Sequence, residues 1–240
     1  MNHFTTSALL ASIFSFAVCV YSIKGIGFGK RVSRVFTIYW FSIAFWSFFV
    51  GLQKQLLPIL GEKLWGWFLH LGCLFIPTLF FHFALEATQR VPRLRAALKV
   101  AYGLTFVYLL LNSFTGVFTN GTAHRGAYAY PIPALLYLVY FVSFVIYLVW
   151  GTVLMVKLLP SVPLESRGPI GVFLASHALG YLGGMDNFAI MWDIRIFPLY
   201  PFGLYTVPLY ALASIYALKR NLFPTKTAAQ LASALSPSLG

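Results

Sequence analysis

LWGWFLHLGCLFIPTLFFHFALEATQR, residues 64–90, decides the fold. Between Leu64 and Leu85 it carries no Asp, Glu, Lys or Arg. A helix needs about 20 apolar residues to cross a hydrocarbon core ~30 Å thick, and this run supplies them. His70, His82 and Glu86 are polar groups in or at the edge of the run, and Pro77 sits near its middle. An internal proline frees one carbonyl and bends a helix. In lipid that carbonyl must find a partner within the protein. The stretch therefore predicts a helix packed against several others, at the centre of a membrane bundle.

Composition agrees. The chain is 60% hydrophobic and 9% charged, where a soluble domain carries about a quarter charged residues. The apolar runs are continuous rather than alternating, which predicts helices and not a membrane β-barrel. Seven spans follow: 7–23, 35–53, the opening stretch, roughly 97–114, roughly 132–156, 169–189 and 199–218. The segment before the first span has no Lys or Arg, so an uncleaved anchor is expected rather than a secretory signal. Residues 115–133, TGVFTNGTAHRGAYAYPIP, read as a wet loop rich in turn formers. Glycines 25, 27 and 29 read as a flexible connector, because no strand precedes them to make a nucleotide loop. Residues 1–223 form the expected seven-helix domain, and 224–240 a mobile cytoplasmic tail.

The net charge of +12 is read as topology and not as a nucleic-acid surface. With the N-terminus outside, the inner segments hold Lys24, Lys30, Arg31, Arg34, Arg90, Arg93, Arg95, Lys99, Lys157, Arg167, Lys219, Arg220 and Lys226. The outer ones hold Lys54, Lys63, Arg125 and Arg195. Thirteen against four fits a C-terminus in the cytoplasm of a multi-pass protein of the inner (cytoplasmic) membrane. Cys19 and Cys73 lie inside apolar spans and are expected to be inert thiols.

The polar residues within the spans offer several chemistries. His82 and Glu86 share a helix face, and with His177 they are a possible metal set. The competing reading pairs Glu86 with Arg90, four residues on. His70 and His82 are about 18 Å apart along one helix and cannot hold one haem together. Ser176, Gly180 and Gly184 form a small-residue stripe for close helix packing. Asp186 near the outer end of span six is a functional candidate, with a wet carboxylate or a pair with Arg195 as the alternative. Tyr200, Tyr205 and Tyr210 read as packing residues, and Pro201 and Pro208 make span seven bendable. Span seven has no buried lysine for a retinal Schiff base. Phosphate loop, nucleophile elbow and HExxH are all missing from the sequence.

The run HLGCLFIPTLFFHFAL (70–85) resembles the third helix of the seven-helix N-terminal membrane domain of many bacterial sensor histidine kinases. LYPFGLYTVPLYALASIYALKRNLF (199–223) is similar to that domain's last helix, and LGYLGGMDNFAI (179–190) and FSIAFWSFFVGL (41–52) also fit. The resemblance implies a receptor, not itself an enzyme, that senses a small-molecule signal and relays it through the last helix to a cytoplasmic kinase or regulator. The output module that usually follows is not in these residues, so an isolated sensor or a partner-borne output is expected, with a homodimer possible. Candidate ligand-binding residues are Gln53, His70, Asp186, Asn187 and Trp192, with hinges at Pro77 and Pro208 and no cofactor. The alternative readings are a structural subunit of a larger membrane complex, a small transporter, or an intramembrane metal or haem protein on His82, Glu86 and His177.

Overall fold

The computed structural model describes residues 3–26, 30–125, 128–196 and 202–220. Its helices are α1 (His3–Ile26), α2 (Arg31–Gly51), α3 (Gln53–Ala87), α4 (Arg95–Phe114), α5 (Leu135–Leu158), α6 (Leu164–Met191) and α7 (Thr206–Lys219). A two-stranded hairpin, β1 (Thr119–Arg125) and β2 (Tyr128–Pro133), joins α4 to α5. Helices α1 to α5 are long and apolar enough to cross a membrane. Helix α6 has 28 residues but dilutes its apolar surface with Glu165, Arg167, Asp186 and Asn187. Helix α7 has 14, following a 3₁₀ turn at Gly203–Tyr205. The tail 224–240, Tyr200, Pro201 and the connector glycines 27 and 29 lie outside the described residues.

Helix α3 is the centre of the bundle. Within its most apolar window 78% of residues are buried, against 17% for α4 and 28% for α5. It packs on α2, α4 and α5 and meets the hairpin. The helix starts earlier than expected, at Gln53, and runs 35 residues. Its backbone breaks at Gly61, whose φ of 73° and ψ of 163° are not helical; such a left-handed φ favours glycine. Pro77 keeps helical dihedrals and is buried. The carbonyl that Pro77 leaves without an amide partner is that of Cys73, one turn back. The Tyr140 hydroxyl of α5 donates to it at 3.0 Å. The freed carbonyl thus has the internal partner that a low-dielectric surround demands.

The loop expected at 115–133 is mostly hairpin. Tyr128, Ala129 and Tyr130 are buried, and the Tyr128 and Tyr130 rings pack on Phe4 of α1 at 4.2 and 6.1 Å. The register slips between Thr119 and Thr122, at a bulge where Gly121 takes φ +74°. One end of the bundle therefore carries the hairpin and the Gly61 break. The other carries the arginines of the α3–α4 turn.

Candidate functional site

Beneath the hairpin lies a small cavity of about 40 Å³. Its walls include Trp46 of α2, His70 and Cys73 of α3, Tyr130 and Pro131 of β2, Tyr137 of α5, and Asn187 and Met191 of α6. His70 is buried. Its Nδ1 lies 2.7 Å from the Gly66 carbonyl and donates to it, which leaves Nε2 as the acceptor nitrogen of the neutral ring. The rings of Phe118 and Tyr137 meet the imidazole edge-on. Asn187 donates to the Gly184 carbonyl at a long 3.4 Å.

Of the five residues singled out from the sequence, His70 and Asn187 share this cavity. Gln53 stands beside it as a strut: its Oε1 accepts the Ala129 amide at 3.0 Å and ties the start of α3 to the hairpin. Trp192 packs edge-on against Tyr137 and Phe141. Asp186 is buried rather than wet, with 3% exposure. Its Oδ1 has no hydrogen-bond partner among the described residues, and the side chain presses against Gly203. The acidic residue paired across the loop is instead Asp193, 3.6 Å from Arg125.

A second cavity of about 50 Å³ adjoins the first. Trp46, Cys73 and Phe188 wall both, and Gly180, Tyr181, Val207 and Tyr210 line the far side. There the sequence reading missed a polar network. The Tyr39 hydroxyl of α2 is 2.9 Å from that of Tyr181 of α6 and 3.2 Å from that of Tyr210 of α7. His177 Nδ1 lies 3.2 Å from the Tyr210 hydroxyl, and its Nε2 lies 3.2 Å from Thr152 Oγ1 of α5. Phe80 stacks on the imidazole at 3.9 Å. Four helices thus meet through five polar side chains in an aromatic surround. The tyrosines gave no signal because isolated aromatics in an apolar run look alike.

His82, Glu86 and His177 do not gather. His82 bonds Tyr102 at 2.9 Å and Glu86 at 3.3 Å, and Glu86 is 3.7 Å from Arg31 rather than paired with Arg90. His177 has the different partners just described. No three His, Cys, Asp or Glu side chains among the described residues are grouped to hold a metal.

The α6–α7 contact is closer than the small-residue stripe implied. A Cβ on Gly183 would collide with Thr206 and the Gly203 carbonyl, and one on Gly180 would lie 3.0 Å from Tyr210. Gly184, expected in the small-residue stripe, faces open space beside the second cavity.

A helical membrane bundle with one end capped by a hairpin and a polar network at its waist is the class that fold and site define. The family described as the N-terminal 7TM region of histidine kinase matches residues 7–228, and the chain belongs to that family. Membership points to a multi-pass membrane sensory module and not to a catalytic domain. No curated protein and no solved structure matches the chain.

Proposed function

We propose that this chain binds a small signal at the hairpin end of the bundle and relays it through α7 to a cytoplasmic kinase or regulator. The hairpin end faces outward and the arginine-rich end inward, as the distribution of Lys and Arg favours. His70 and Asn187 offer the polar contacts. Gln53, Asp186 and Trp192 fix the hairpin, the α6–α7 junction and the α5–α6 seam around them.

The observation that carries this reading is the shared wall of Trp46, Cys73 and Phe188 between the two cavities. Whatever enlarges the first presses on residues that also wall the second, where Tyr181 and Tyr210 stand. A cavity of about 40 Å³ is far below the roughly 300–1,000 Å³ of small-molecule sites, so the signal enters as the hairpin lifts. The change in packing then passes to α7, with Pro208 in its first turn and Pro77 opposite Tyr140 as the points that give. A ligand drives such a change only by binding one packing better than the other.

The test is phosphorylation of the kinase that co-purifies with the tagged chain from native membranes. His70→Ala and Asp186→Ala are each expected to shift the phosphorylated fraction under inducing growth conditions. Unchanged output in both would contradict the assignment.

A further inference from the structure

On the other side of β2 lies a larger cleft, about 370 Å³ in volume, between the start of the apolar part of α3, the end of α4 and the hairpin. Pro131 is a wall of both this cleft and the cavity beneath the hairpin. The two backbone features that depart from regular structure here, the Gly61 break and the Gly121 bulge, flank it. Bulges of this kind re-aim side chains beside functional sites.

The lining is about half polar, and the side chains of Glu62, Lys63 and Asn120 in it make no hydrogen bond among the described residues. Glu62 and Lys63 sit side by side just after the Gly61 break, and both face the cleft. Among the described residues neither side chain makes an ion pair or hydrogen bond to the protein. Successive helical residues diverge by about 100°, so the two charges are splayed rather than paired. One turn further on, Gly66 lies on the Glu62 side and Trp67 on the Lys63 side. Trp67 is fixed by a 2.8 Å bond from its Nε1 to Ser113. Asn112 accepts from Thr119 through Oδ1, and Asn120 adds a second amide to the wall.

The geometry points to this cleft as a binding site for a compact zwitterion, a free amino acid or short peptide. Lys63 would take the carboxylate and Glu62 the ammonium, and in a peptide the two asparagines would meet the amide groups between. A neutral solute would leave both charges unanswered. A ligand bearing one charge would leave the other side chain without a counterpart. The volume falls within the range of small-ligand sites. This site does not rest on the relay through α7, and its test reads binding alone.

The test uses the full chain in nanodiscs of phosphatidylglycerol, which keep zwitterionic headgroups away. Binding of a panel of free amino acids and dipeptides, with Ala-Ala among them, is followed calorimetrically and by Trp fluorescence. Saturable binding at millimolar concentration or below is expected for at least one member, with its N-acetylated, C-amidated analogue bound about tenfold more weakly. Glu62→Gln and Lys63→Gln, both at exposed positions, should each cost a similar factor. Gly66→Leu should abolish binding, because a Cβ there meets nothing within 4 Å and the side chain occupies the cleft. Its helicity and elution volume should match wild type. Nanodiscs of phosphatidylethanolamine form a second arm: competition there assigns the zwitterion to a lipid headgroup, and no competition to a soluble molecule. No saturable binding in either lipid, or equal binding of the blocked dipeptide, or unaltered binding in all three variants, would overturn the proposal.

Discussion

Two adjacent positions of α6 show how differently one residue type is used. Gly183 and Gly184 are neighbours in sequence. The first is jammed against Thr206 and Gly203 of the α7 segment, and the second faces open space. The same contrast separates the waist of the bundle from the hairpin end. At the waist His177 has both ring nitrogens engaged and Phe80 stacked upon it. At the hairpin end His70 spends one nitrogen on its own helix and turns the rest of the ring toward a cavity. Satisfied polar groups fix an arrangement, while unspent ones leave capacity to bind. On the proposed reading the waist holds and the hairpin end yields.

The contrast breaks most visibly at Gly183. Gly183→Val puts carbon into the Gly203 backbone of the turn before α7 and should cost at least about 3 kcal/mol, or prevent the protein from accumulating. Gly184→Ala should be neutral or up to about 1 kcal/mol stabilising. Unfolding in mixed micelles compares them, and equal behaviour would remove the asymmetry. Next is Tyr210→Phe, which strips the hydroxyl shared by Tyr39 and His177. A loss of about 1–2 kcal/mol is expected, tending to the lower figure if the denatured chain finds other partners in the membrane. Gln53→Ala should cost about 1 kcal/mol or less globally, yet raise hydrogen exchange at Ala129 and its hairpin neighbours. Exchange raised evenly over the chain would show instead that the hairpin is part of the rigid body. Arg31→Ala comes last. The Arg31 side chain is 70% exposed, so loss of its contact with Glu86 should move stability by no more than about 0.5 kcal/mol.

Much of the bundle was legible because lipid imposes simple accounting. The apolar run 64–85 announced the central helix, and Pro77 announced a carbonyl that must be satisfied. That Tyr140 satisfies it was not legible, since nothing local marks one tyrosine of α5 as opposite Cys73. The hairpin was hidden for the same reason. Its strands are short, rich in Gly and Pro, and held by Phe4 and Gln53, which are distant in sequence. The Gly61 break lay before the run that drew attention, so α3 was expected to start late. At the proposed site, His70 and Asn187 were legible as polar residues in or at the edge of apolar spans, and they line one cavity. Tyr39, Tyr181 and Tyr210 were not, because a phenol in a helix declares its partner only when the helices are assembled.

The central claim is that the hairpin and the end of α7 stand on opposite faces of one membrane. The native thiols, Cys19 and Cys73, are buried, so the wild-type protein gives a low background for a membrane-impermeant maleimide. In intact cells Asn120→Cys should label at once, and Arg220→Cys only after the membrane is permeabilised. Labelling of both from the same side would contradict the account.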